Sequence, residues 1–216
     1  MKGYKALVAG VMLATSASPS FAAAVTKPAP AKAAEQSIVF AGGCFWGIQS
    51  VFEHTKGVTS AVSGYSGGSD KFSRPSYEQV SSGTTGHAES VKVTFDPSQV
   101  SLDQLMKVFF SVAHDPTQLN YQGPDHGTQY RSMVEYTNDV QKSEVTAFVS
   151  QLGKDRAWGG RPIVTQIVPL KTFFPAEAYH QHYAELHPNE PYIAYNDRPK
   201  VEALKKQFPQ LYRDIK

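Results

Sequence analysis

The sequence predicts a single domain built as a mixed α/β sandwich, on three observations. Apolar runs of strand length alternate with segments of helical periodicity. No glycine-rich phosphate loop joins a strand to a helix, which argues against a doubly wound nucleotide binder. The 216 residues suffice for one sizeable core.

Residues 1–22 read as a secretory signal: Lys2 and Lys5 precede an apolar stretch from Ala6 to Ala14, and Ser20-Phe21-Ala22 offers a small-x-small cleavage site. The stretch is too short for a membrane span, so stable membrane insertion is not expected. Residues 23–36 are Ala, Pro and Lys with almost no large apolar side chain, the composition of a solvated linker. The catalytic part is expected over residues 37–216. Cleavage after Ala22 removes two of the 21 basic residues and no acid, leaving 19 of each sign. A chain without net charge has no electrostatic reason to favour nucleic acid. Export to an oxidising compartment usually brings disulfides, yet there is one cysteine, Cys44, and so no internal pairing.

Ser37–Ala41 reads as a short buried strand, and Phe45, Ile48, Val51 and Phe52 recur at helical spacing up to Lys56-Gly57, placing Cys44 at a helix N-terminus. Val58–Ser63 alternates as a strand, and Gly64, Gly67, Gly68 and Pro75 mark a long loop. Ser76-x-x-Gln79 has capping-box spacing and opens a short helix stopping at Gly83. In the next strand Glu89, Val91, Val93 and Phe95 share one face and Ser90, Lys92 and Thr94 the other, so Glu89 points to the core. Ser101-x-x-Gln104 caps an amphipathic helix carrying Leu102, Leu105, Met106, Phe109 and Ala113, which ends before Asp115-Pro116. A loop to Tyr130, a strand over 131–137 and a helix over 138–152 closed by Gly153 follow. The β-branched run Ile163–Val168 is expected to be a central strand. Helices are expected over 176–186 and 199–208, with 188–198 irregular.

A thiol at a helix N-terminus is favoured as thiolate. A fall in its pKa from about 8.5 to about 6.5 would raise the thiolate fraction at neutral pH roughly 25-fold, and the lower basicity would return roughly 10-fold of that. More of any rate must therefore come from activating the partner. A core-facing Glu89 is suited to this, because burial raises its pKa and makes it a proton donor near neutrality. His180 and His182 do not share one helical face, so they do not read as a metal pair and no metal site is expected. Tyr77, Asp125, His126 and Tyr130 add polar and aromatic groups in loops.

Four segments carry a family resemblance: Gly43-Cys44-Phe45-Trp46-Gly47, Thr85-Gly86-His87-Ala88-Glu89, His114-Asp115-Pro116-Thr117-Gln118, and Asp125-His126-Gly127-Thr128-Gln129-Tyr130-Arg131-Ser132. Together they resemble the signature segments of A-type peptide methionine sulfoxide reductases. The resemblance implies a ferredoxin-like α/β fold and reduction of the S epimer of methionine sulfoxide, free or in proteins. It implies Cys44 as the nucleophile, Glu89 as the proton donor, Tyr77 and Tyr130 as donors to the sulfoxide oxygen, Asp125 as a water or backbone holder, and Phe45 with Trp46 as the cradle of the S-methyl group. Attack would leave Cys44 as a sulfenic acid. Relatives often carry a resolving cysteine in a C-terminal tail, where this chain reads Pro191-Tyr192-Ile193-Ala194. Recycling is then expected from an external thiol reductant, a thioredoxin-like protein or a small thiol, with no bound cofactor. The setting would be the periplasm and the substrates oxidised exported proteins. Two other readings of Cys44 are a cysteine hydrolase paired with His126 or His87, and a lipid-anchored binding module, since Ala41-Gly42-Gly43-Cys44 faintly resembles a lipoprotein cleavage box.

Overall fold

In the computed structural model, which describes residues 34–69, 71–155 and 158–215, Gln36–Ala41 forms strand β1 at the centre of the sheet. Its residues are apolar on both faces because both are covered: Ile38 and Phe40 on one, Val39 and Ala41 on the other are all buried. Helix α1 (Phe45–Glu53) follows, then β2 (Val58–Ser66), the short helix α2 (Tyr77–Ser81) and β3 (Ala88–Phe95). Helix α3 (Leu102–Val108) continues into a π-helical turn, Phe109–Ala113. Two-residue strands β4 (Tyr121–Gln122) and β5 (Asp125–His126) pair as a hairpin, and a 3-10 turn spans Thr128–Tyr130. Strand β6 (Met133–Tyr136), helix α4 (Asp139–Lys154), and strands β7 (Gln166–Pro169) and β8 (Phe173–Pro175) come next. The chain ends in α5 (Tyr183–Leu186), a π-helical turn Ile193–Asp197, and α6 (Arg198–Gln207).

Six strands make one sheet in the order β7-β6-β1-β3-β2-β8, antiparallel except for the β6–β7 pair. The core lies on one face, where Phe40 stacks on Phe52 of α1 at 4.9 Å and meets Phe109 at 4.6 Å. Val91, Val93 and Phe95 extend it along β3, and Leu105 and Met106 close it from α3. Burial of each such side chain contributes about 1.5–3 kcal/mol. The opposite face is mixed, with Ala41, Ala88 and Met133 in a small apolar cluster and Ser66 Oγ donating to Ser90 Oγ at 2.8 Å. Both capping boxes form, Ser76 with Gln79 and Ser101 with Gln104. The described residues all fall within one compact unit, Lys32–Lys216, and among them no helix is long and apolar enough to cross a membrane. The signal at 1–22 and most of the linker at 23–36 lie outside the described residues, while Gln36 already belongs to β1.

Several expectations are corrected. The β-branched run is not a central strand: only its end enters β7, a half-buried edge strand. Val164 N–H is spent on Pro116 O and the Thr165 hydroxyl on Ser132 Oγ, so the first part of the run fastens the 115–130 loop instead. Strand β2 runs past Gly64 to Ser66, because Gly64 lacks a Cβ that would strike the Phe173 ring and Phe174 O of β8. Helix α4 passes through Gly153, which has open space around it, and ends at Lys154 with Asp155 as its C-cap. Residues 176–186 are not one helix. The Gln181 side chain hooks the edge of β2, donating to Ser63 O and Ala176 O and accepting from Ser63 N–H, and His182 turns left-handed at φ 57° before α5 begins. The segment expected to be irregular contains the π turn that runs directly into α6.

Candidate active site around Cys44

Strand β1 is followed by Gly42-Gly43, and Gly43 takes φ +104°, a turn that leaves Cys44 at the N-cap of α1. A side chain at Gly42 would strike the His114 ring, 2.8 Å away. The thiol is 8% exposed. Its pKa is not lowered, as the helix terminus suggested, but raised well above the ordinary thiol value. Burial is the main cause, followed by the charges of Glu89 and Asp197, against which the Trp46 backbone N–H and Lys200 act weakly. The N–H of Phe45 at the head of α1 donates to Glu89 Oε2 at 3.1 Å. One of the helix's free donors thus serves the carboxyl rather than the sulfur.

Glu89 lies on the core-facing side of β3, as its parity requires, and is 1% exposed. Burial pushes its carboxyl up to about 8, assisted by Asp125 and Asp197 and opposed by hydrogen bonds from Phe45 N–H and the Cys44 side chain. At neutral pH it holds a proton beside the sulfur. The Tyr77 phenol is raised by burial and by Glu89, with smaller contributions from Cys44. The Tyr130 phenol is raised by burial, Glu89, Asp125 and Tyr77. Both stay hydroxyl donors. Tyr77 is anchored by its backbone N–H on Glu177 Oε1 at 3.0 Å, and Glu177 also accepts from Tyr65 OH at 2.8 Å. Asp125 in β5 accepts a short hydrogen bond from Tyr192 OH.

Phe45 and Trp46 divide the expected cradle unequally. Phe45 is wholly buried against Trp46, Tyr65 and His180. Trp46 is half-buried, stacks on Tyr183 at 3.9 Å, and meets Tyr192 edge-on at 6.0 Å. The apolar wall near the thiol is therefore Trp46, Tyr183 and Tyr192, with Phe45 beneath. Sequence reasoning missed His180, which accepts from Trp46 Nε1–H at 3.2 Å and packs against Tyr77 at 4.4 Å, orienting both rings. Among the described residues no cluster of three or more His, Cys, Asp or Glu side chains is arranged to hold a metal ion.

The C-terminal segment contributes most of what was missed. A cavity of about 260 Å3 opens beside Cys44, walled by Gln122, Asp125, Tyr192, Asn196 and Lys200. Tyr192, Asn196 and Lys200 follow i, i+4, i+8 spacing, a helical signal present in the sequence but obscured by Pro191 and Pro199. Asp197, fully buried, pairs with Lys200 Nζ at 3.1 Å and lies so close to Gly47 that a Cβ there would collide with its Oδ1. Gly47→Ala is expected to destabilise the fold by about 1–3 kcal/mol through this overpacking. Urea unfolding checks it, and an unchanged midpoint would show that the segment sits further from α1.

The geometry also decides between the readings of Cys44. His114 makes contacts with both ring nitrogens, Nδ1 with Phe109 O and Nε2 with Ser132 Oγ, and burial lowers its pKa to about 4. The hydrolase candidates sit elsewhere: His87 packs on Phe174 and takes Gly68 N–H, and His126 stacks on Tyr121. The thiol's partner is a carboxyl, not an imidazole. A lipidated N-terminus at Cys44 would require removal of β1, which is paired on both sides by β3 and β6.

Comparison with known proteins agrees with this chemistry. Residues 36–212 match the family model described as peptide methionine sulfoxide reductase. Peptide methionine sulfoxide reductase MsrA 2 of Mesorhizobium japonicum is 55% identical over 179 residues, 83% of this chain and 90% of the relative. The MsrA of Nautilia profundicola is 47% identical over 164 residues, 76% and 91% of the two chains. Among solved structures, reduced Mxr1 from Saccharomyces cerevisiae superposes with a TM-score of 0.68 at 35% identity, covering 76% of this chain and 91% of that one. Methionine sulfoxide reductase A of Corynebacterium diphtheriae gives 0.66 at 34% identity, covering 72% and 76%. Since the match runs from β1 beyond α6 and takes in both the thiol and the carboxyl that faces it, the chain belongs to the A-type peptide methionine sulfoxide reductases and reduces methionine sulfoxide.

Proposed function

We propose that the chain reduces the S epimer of methionine sulfoxide by attack of Cys44 on the sulfoxide sulfur while Glu89 protonates the oxygen. The observation that carries this is a buried carboxyl, its pKa pushed up to about 8, held against a buried thiol. Sulfoxide oxygen is a poor leaving group until protonated. Tyr77 and Tyr130, kept as phenols, supply two further donors to it. The thiol proton replaces the one Glu89 gives up, oxygen passes to Cys44 as sulfenic acid, and methionine leaves with the sulfur lone pair restored. The Trp46, Tyr183 and Tyr192 wall receives the methyl group. In fold terms we read β1-α1-β2-β3-α3-β6 as a ferredoxin-like core, supported by the antiparallel order β6-β1-β3-β2.

With one cysteine in the sequence, the sulfenic acid is returned to thiol by an external reductant, a thioredoxin-like protein or a small thiol. The chain acts in the periplasm on oxidised exported proteins, after cleavage of residues 1–22, with the stretch from 23 up to β1 as a tether to the catalytic domain. A burst experiment in thiol-free buffer with a sulfenic-acid trap tests the scheme. One methionine per active site is expected and then a halt; two per site would refute the external-thiol route. N-terminal sequencing of the exported protein should begin at Ala23, and Met1 retained in the soluble exported fraction would contradict the signal reading.

A further inference from the structure

The sheet face turned away from α1 and α3 carries a second cavity, also about 260 Å3, that the reaction at Cys44 does not use. Strand alternation builds it. Met133 and Glu135 of β6 pair in register with Gln166 and Val168 of β7, so all four project to this face. The Gly67–Ser69 loop, His87, Phe174 and Lys171 complete the walls. This is smaller than the roughly 300–1,000 Å3 typical of pockets for drug-sized ligands.

Two polar atoms in it lack partners. Glu135 is 1% exposed and His87 4%, yet Glu135 Oε2 and His87 Nε2 make no hydrogen bond. His87 Nδ1 accepts from Gly68 N–H at 3.2 Å, which places the ring proton on Nε2. An unused donor therefore stands in the same cavity as an unused carboxyl oxygen. Native interiors seldom leave such groups unsatisfied. Nearby Arg131 attracts Glu135 only through its charge, because its guanidinium hydrogen-bonds Thr128 O, Gly67 O and Gln166 Oε1 at 2.9, 3.2 and 3.3 Å. Burial pushes the Glu135 carboxyl up to about 7, outweighing a Ser66 hydrogen bond and the Arg131 charge, which act to lower it. Met133, Val168 and Phe174 form the apolar part of the wall, Gln166 and Thr172 add polar groups, and Lys171 is exposed.

We propose that this cavity is a second binding site, for a free α-amino acid with an apolar side chain: its ammonium meets Glu135, its carboxylate takes His87 Nε2–H and Lys171, and its side chain lies on Met133, Val168 and Phe174. A simple anion would be repelled by Glu135, and two protein ligands are too few for a structural metal. A molecule that carries one donor group, one acceptor group and an apolar tail matches what the cavity leaves unpaired.

The test uses protein labelled with [methyl-13C]methionine, in which the Met133 methyl, assigned with Met133→Leu, reports on the cavity and Met106 in the main core serves as control. L-leucine is expected to shift the Met133 resonance saturably with a dissociation constant on the order of millimolar. Removing either charge, with 4-methylpentanoate or 3-methylbutylamine as probes, is expected to weaken binding at least about tenfold. Glu135→Gln and the cavity-filling Val168→Phe should each abolish the shift while leaving the Met106 resonance and sulfoxide turnover unchanged. If Glu135→Gln does not fold, Val168→Phe decides alone. The proposal is overturned by the absence of a saturable shift, which would mean the cavity holds water only. It is equally overturned by a shift that survives the folded variants, by equal binding of the probes lacking one charge, or by displacement with saturating dimethyl sulfoxide, which would assign the signal to the Cys44 site.

Discussion

Cys44→Ser is expected to reduce methionine release to background while the protein remains folded. A serine hydroxyl at neutral pH is a far weaker nucleophile than a thiol, and no second cysteine exists to replace it. The fold should tolerate the change, because the Cys44 side chain caps nothing and serine is a preferred N-cap residue, contributing about 1 kcal/mol where its oxygen finds an N–H of the first turn. Desolvation of the new hydroxyl offsets part of that, so the unfolding free energy should stay within about 1 kcal/mol of wild type. Methionine release from an oxidised peptide, followed by chromatography, and urea unfolding read the two halves separately. Turnover above roughly 1% of wild type would show that another group attacks the sulfoxide.

The raised thiol pKa sharpens what this substitution tests. A resting thiolate would be reactive toward any electrophile, whereas Cys44 is kept protonated by burial and by the acids around it. In the proposed reaction its nucleophilic form is made in step with the substrate, as sulfoxide oxygen draws the proton from Glu89 and Glu89 in turn accepts the one on sulfur. Lys200, a cation acting on the thiol, is partly neutralised by Asp197 at 3.1 Å. The proposed attack by a reductant on a Cys44 sulfenic acid would use the same confined space, beside which the cavity walled by Tyr192, Asn196 and Lys200 opens.

What the sequence disclosed and what it withheld follow from the range of the forces involved. The parity of Glu89 with Val91, Val93 and Phe95 is a local, period-two property, and it placed the carboxyl against the core correctly. The boxes Ser76–Gln79 and Ser101–Gln104 are likewise closed within one turn. The run Ile163–Val168 has the same composition whether a strand is central or at the edge, and only its partners, Pro116 and Ser132, decide. The break in residues 176–186 comes from Gln181 reaching β2, a contact distant in sequence. The sign of the Cys44 shift was misjudged for the same reason. A helix terminus is visible locally, but the desolvation and the carboxylates that outweigh it arrive from β3 and from the C-terminal segment. That segment looked irregular because prolines bracket it, although Tyr192, Asn196 and Lys200 keep helical spacing between them.

Glu89→Gln is expected to lower the chemical step by about 10²–10⁴ with little change in KM, since a positioned acid contributes in that range and acts only as the sulfoxide bond breaks. Glutamine keeps the volume and can still accept the Phe45 N–H through its carbonyl oxygen, so the head of α1 and the placement of Cys44 should survive. The pH dependence separates loss of the proton from loss of shape. With the Glu89 carboxyl at about 8, wild-type single-turnover rates should fall as pH rises through that value, because the acid is then ionised; the variant should lack this limb. Stability carries the same signature. A group whose folded pKa is raised stabilises the native state fully at low pH and loses that contribution as pH climbs through the folded value. Wild type should therefore weaken toward pH 9 by more than the variant does, and taking the difference between the two removes the parallel contribution of Glu135, raised to about 7. Single-turnover release and urea midpoints from about pH 6 to 9 give both readings. A variant within about threefold of wild type in single turnover, or one that keeps the alkaline limb, would remove general acid catalysis from Glu89 and leave the proton to Tyr77 or Tyr130.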